Sequence, residues 1–107
     1  MLEKNFSFNT NSTAAQPIKQ QGSLYINLSI DWDQFDQVAS QLIEKLDMTV
    51  KTKEIGADLH RWTVDFEGTR LYLTYEETSN SLWFELDRAE DQEILDFIAT
   101  LLQKQSS

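Results

Sequence analysis

Leu24, Ile26, Leu28 and Ile30 alternate with Tyr25, Asn27 and Ser29. A period of two marks a half-buried strand, so this pattern predicts a β-strand over residues 24–30. At Asp31 the period changes. Trp32, Phe35, Val38, Ala39, Leu42, Ile43 and Leu46 fall within one helical arc, with Asp33, Asp36, Ser40, Glu44 and Asp47 opposite. Asp31 is a good N-cap, and Gln34 three residues later completes a capping-box pattern. Four further strands follow from "MTVKTKEI", "LHRWTVDF", "TRLYLTYE" and "SLWFELD". The last element, "AEDQEILDFIATLLQKQ", is an amphipathic helix with Ile94, Leu95, Phe97, Ile98, Leu101 and Leu102 on its apolar side. Asp87 with Glu90 forms a second cap pattern before it.

The order β-α-β-β-β-β-α predicts an α+β fold, a mainly antiparallel sheet of about five strands with two helices packed on one face. The pattern leaves two places for the first strand. It can lie beside 48–55 through a right-handed crossover, or at the opposite edge beside 82–87.

Register follows from keeping apolar residues on one side, because a one-residue slip turns every side chain over. A Glu67-Gly68 turn pairs Val64 with Leu71 and Trp62 with Leu73. Setting Leu73 against Phe84 then pairs Tyr75 with Leu82 and Leu71 with Leu86. A three-residue Gly56-Ala57-Asp58 loop would pair Val50 with Val64, Lys51 with Thr63 and Lys53 with Arg61. The reverse face then reads in three rows: Thr49, Asp65, Arg70, Asp87; Lys51, Thr63, Tyr72, Glu85; and Lys53, Arg61, Thr74, Trp83. Arg70 falls between two carboxylates. One margin is basic (Lys51, Lys53, Arg61) and the other acidic (Glu85, Asp87).

Aromatic residues on this second face are surplus to the core, which Trp62, Val64, Leu71, Leu73, Phe84 and Leu86 already supply. Trp83 and Tyr72 are therefore the candidate anchors of a protein-contact surface, with Arg70, Arg61 and Glu85 as its polar rim. The plain alternative is a solvated face of favourable cross-strand pairs. A homodimer through this face, or the polar tail folded over it, are further options.

Composition narrows the rest. Residues 1–21 are rich in Asn, Ser, Thr and Gln and read as a flexible polar tail, with 22–104 as one domain and 105–107 as a short end. Within the tail "NFSF" has period two, so Phe6 and Phe8 could add an edge strand. Eighteen acids against nine bases give a net charge of −9. Such a surface disfavours nucleic acid and anionic membranes, and suits a basic partner or solubility. The absence of cysteine excludes disulfides and thiolate sites. With no targeting signal or apolar span in evidence, the expected compartment is the cytoplasm.

Candidate chemistry is sparse. His60 is the only histidine; register places it on the core side near Tyr75, as a hydrogen-bonded structural residue. Asp65, Glu85 and Asp87 could approach one another and bind a hard cation, but Arg70 competes for them. The glycines Gly22, Gly56 and Gly68 all read as turn residues, with no phosphate-cradling loop. The expectation is no enzyme, no cofactor and no metal.

"WTVDFEGTRLYLTYEE" followed by "SLWFEL" resembles a small family of bacterial proteins known only as a domain of unknown function, over Ser23 to Leu102. That resemblance implies no activity and no site residues. A looser likeness is to acidic cytosolic secretion chaperones, whose extra helix between later strands this chain lacks. The leading functional expectation is a small protein-interaction module (adaptor, inhibitor or immunity-like) that uses the helix-free face. The alternatives are an acidic chaperone-like or nucleic-acid-mimicking protein holding a basic partner, and a carboxylate-based enzyme.

Overall fold

The computed structural model describes residues 17–20 and 22–106. In chain order the strands and helices are β1 (Pro17–Gln20), β2 (Ser23–Ile26), α1 (Phe35–Lys45), β3 (Thr49–Ile55), β4 (Leu59–Phe66), β5 (Thr69–Glu76), β6 (Ser81–Leu86) and α2 (Gln92–Ser106). The expected five strands and two helices are present, in the expected order, as an α+β arrangement. The sheet is antiparallel throughout, with spatial order β1-β2-β6-β5-β4-β3. Of the two places open to the first strand, β2 takes the one beside β6.

A sixth strand comes from the segment that composition assigns to the tail. Pro17–Gln20 pairs with β2, Ile18 opposite Tyr25 and Gln20 opposite Ser23, so the folded part reaches at least Pro17. The edge strand expected at Phe6 and Phe8 lies outside the described residues. At the other end α2 runs to Ser106, past the expected limit of 104.

β2 is shorter than its alternation suggests. After Ile26 the Leu28 N–H donates to the Ile26 carbonyl at 2.8 Å, a tight local turn that takes the chain off the ladder. Ile30 remains buried, and its carbonyl accepts from the Tyr75 hydroxyl at 3.1 Å. The capping box forms as read: Asp31 Oδ1 accepts from Gln34 N, and Gln34 Oε1 accepts from Asp31 N. A single 3₁₀ turn, Trp32–Gln34, leads into α1. The second cap pattern fails. Arg88 occupies the N-cap position without a side-chain cap, and the Asp87 carboxylate is engaged on the sheet instead.

Both helices cover the same face. Phe35 from α1 meets Trp62 edge-on at 5.3 Å, and α2 lies across β1, β2 and β6. Between them Leu24, Val64, Leu71, Leu73, Phe84, Leu95 and Ile98 are fully buried. Each such side chain contributes roughly 1.5–3 kcal/mol of transfer free energy.

The central registers are as the pattern requires: Val64↔Leu71, Trp62↔Leu73, Leu73↔Phe84 and Tyr72↔Glu85. Glu67 (φ 51°) and Gly68 (φ 90°) make the two-residue turn in the left-handed region. The β3–β4 register differs from expectation. Gly56 N donates to the Leu59 carbonyl at 2.7 Å, so the loop closes on two residues, Ala57 and Asp58, not three. That sets Lys53 opposite Trp62 and Glu54 opposite Arg61. A bulge between Val50 and Thr52 then restores Val50 to Val64. A tighter turn and one extra residue cancel, so the apolar pair survives while the charged residues change sides.

Candidate functional site

The ladder writes the helix-free face in rows. Glu54, Arg61, Thr74, Trp83 and Tyr25 form one row across β3, β4, β5, β6 and β2. Thr52, Thr63, Tyr72, Glu85 and Ser23 form the next. Thr49, Asp65 and Arg70 follow.

Glu85 joins the first two rows. Its Oε1 accepts from Arg61 Nη2 and from Trp83 Nε1, both at 3.2 Å. The Arg61 guanidinium lies over the Tyr72 ring, 4.6 Å from its centroid. The Tyr72 hydroxyl in turn donates to Asp87 Oδ1 at 2.6 Å. That hydrogen bond, with burial and the Asp87 charge adding to it, holds the Tyr72 phenol above its ordinary value of 10.0. On the other side of Trp83 stands Tyr25, ring centroids 5.4 Å apart and planes tilted by 30°. Thr74, between Arg61 and Trp83 in its row, is only 2% exposed, and its hydroxyl has no partner among the described residues.

Four of the five residues singled out from the sequence, Trp83, Tyr72, Arg61 and Glu85, therefore form one connected network. Arg70 is not part of it. The expected Asp65–Arg70–Asp87 sandwich does not form, because Asp65 Oδ2 accepts from the Gly68 N–H at 3.1 Å and Asp87 serves Tyr72. Arg70 is exposed, and with Asp65, Asp87 and Arg88 it lines a shallow depression of about 360 Å³ at the hairpin end. The expected basic margin is also lost. Lys53 has crossed to the helix side, its Nζ 4.3 Å from the Trp62 ring centroid, and Glu54 stands in its row. Lys51 is the extra residue of the bulge.

Tyr25 is the residue that sequence reasoning left out. Its signal was present, since it alternates with Leu24 and Ile26. Joining it to Trp83 required knowing that β2 lies beside β6. Next to this pair the departure of the chain after Ile26 leaves a depression of about 330 Å³, lined by Tyr25, Leu28, Asn80, Ser81 and Leu82 among others.

His60 takes its expected place opposite Tyr75 but not its expected bonds. Its ring lies 4.0 Å from Trp32 and 4.6 Å from Phe35, and neither nitrogen has a hydrogen-bond partner among the described residues. Among the described residues no three His, Asp or Glu side chains are grouped to hold a metal ion.

Among the described residues, the fold and this face define an α+β domain with helices on one side of its sheet and none on the other. The chain belongs to the family described as Protein of unknown function (DUF3630), whose model matches residues 12–103. That span includes every strand described above and begins ahead of the likeness read from Ser23 onward. No curated protein and no solved structure matches the chain. Among the described residues no helix is long and apolar enough to cross a membrane.

Proposed function

We propose that this chain is a small, non-catalytic protein-binding module of the cytoplasm that docks another protein on the helix-free face of its sheet. The observation that carries this reading is the Tyr25–Trp83 pair. Two half-buried aromatic rings stand in contact on a face that none of the described helices covers. Aromatic side chains of this kind, ringed by polar groups, are typical anchors of protein interfaces. The network around them holds the anchors in place before any partner arrives, which lowers the ordering cost of binding. The carboxylates that a catalytic reading would use are already committed: Glu85 to Arg61 and Trp83, Asp87 to Tyr72, and Asp65 to its own turn.

The test compares wild type with Trp83→Ala and Tyr25→Ala as baits in extract from the source cell. The expected outcome is one protein retained by wild type and lost by both variants, which then forms a stoichiometric complex with the wild type when purified. Sedimentation of the chain alone covers the homodimer. Identical retention by all three baits, with no self-association, would remove the docking reading.

A further inference from the structure

The partner's chemistry can be read from the same face. We infer that the Tyr25–Trp83 pair receives a cationic segment of the partner, arginine above lysine, so that a guanidinium lies against the rings and bonds the free oxygen of Glu85. This rests on the docking reading above and goes further by naming what docks.

Charge is the first support. With Lys53 turned to the helix side, the paired positions of the open face carry four carboxylates, Glu54, Asp65, Glu76 and Glu85, with Asp87 just past the end of β6, against two guanidiniums, Arg61 and Arg70. Arg61 is already neutralised by Glu85. The surface around the rings is thus acidic, on a chain of net charge −9. A cationic segment is steered toward such a face and an acidic one is repelled.

The second support is that the face already holds one guanidinium in this manner. Arg61 lies over an aromatic ring, Tyr72, and bonds a carboxylate, Glu85. The Tyr25–Trp83 pair repeats the components one strand further on: aromatic faces beside the same carboxylate. Both bonds to Glu85 end on Oε1, and Oε2 takes none among the described residues. A planar guanidinium can stack on a ring and donate in its own plane at once, whereas an ammonium cannot, which is why arginine is favoured.

The third support is the space. The depression of about 330 Å³ beside Tyr25 opens at the end of the pair, with apolar Leu28 and polar Asn80 and Ser81 in its wall. It lies on the side of the Tyr25–Trp83 row away from Glu85, where it has room for a neighbouring residue of the same segment.

The experiment titrates a capped hexaarginine peptide into the purified full chain, with hexalysine in parallel. Binding is read by calorimetry and by amide and indole NMR shifts. The expected result is that the Trp83 indole and the Tyr25 and Glu85 amides shift first, and that hexaarginine binds more tightly than hexalysine. Trp83→Ala should weaken hexaarginine by about tenfold. Glu93→Gln, which removes one negative charge on the exposed side of α2, should leave it within about twofold. The wild-type shift map needs no variant, so a misfolded Trp83→Ala would not block the test. Shifts centred on the helix acids, or equal affinity for wild type and Trp83→Ala, overturn the inference and leave only bulk charge. Partner capture that depends on Trp83 but persists in 1 M salt, without a hexaarginine response, overturns the cationic partner and keeps the docking face. Loss of both responses overturns both.

Discussion

His60 lies nearly parallel to Phe35, ring planes 10° apart and centroids 4.6 Å apart, with both imidazole nitrogens buried and unpartnered among the described residues. The side chain is held as an aromatic disc and its polar atoms are a liability. An unsatisfied buried polar group costs about 1–3 kcal/mol. His60→Phe keeps the disc and removes the liability, so it should raise unfolding stability by about 1 kcal/mol. Urea denaturation measures it, and a loss of that size would show that the nitrogens have partners in solution.

Lys51 is the residue that makes the bulge in edge strand β3, opposite none of the β4 positions. Removing it leaves Val50↔Val64 and Thr52↔Thr63 as neighbours in an unbroken ladder. Monomer stability should change by less than about 1 kcal/mol. Self-association should increase, because bulges and lysines at an edge obstruct pairing with another chain. Light scattering at rising concentration reads the second effect.

Leu73 is fully buried between Trp62 and Phe84, and Leu73→Ala should cost about 2–5 kcal/mol. Ile55 is 71% exposed at the end of β3, and Ile55→Ala should cost less than about 0.5 kcal/mol. Parallel thermal melts separate the two.

Tyr72 carries a pH signature. Its folded-state value is raised, first by the hydrogen bond to Asp87 and then by burial. The neutral phenol is therefore the form the fold favours. Its contribution is present in full below the unfolded value near pH 10 and is lost as pH rises through the higher folded value. Tyr75 is also raised, chiefly by burial. Urea midpoints for wild type and Tyr72→Phe should converge above pH 10, with wild type ahead at pH 8. A constant gap would place the Tyr72–Asp87 bond outside the solution structure.

Much of this was legible in the chain because alternation fixes register wherever both partners are apolar. Val64, Leu71, Leu73 and Phe84 leave the central strands one solution, and with them Tyr72, Glu85 and Trp83 fall into place. β3 was harder. Its outward-facing residues are polar on both sides, so a two-residue turn with a bulge and a three-residue loop without one satisfy Val50 equally. Lys53 was misplaced for that reason, and Glu54 stands opposite Arg61 in its stead. Tyr25 was missed because which strands are neighbours depends on chain reversal at long range, which local pattern does not record. The bonds of Asp87 were misread because a cap and a cross-strand hydroxyl compete for one carboxylate, and only the relative position of Tyr72 decides.

The pairing of Tyr25 with Trp83 also orders events in time. β2 emerges early in synthesis, yet the strand it needs is made only after α1, β3, β4 and β5. Until then Leu24 and Ile26 have no ladder to join, and β1 has only β2. The later strands form a local meander that can close as it is made, and long-range pairings come last because their loop-closure cost is larger. The aromatic pair on the open face is thus completed by the final strand to be synthesised. A chain interrupted before β6 would present neither ring in place, so a nascent or truncated copy could not compete with the finished protein for its partner.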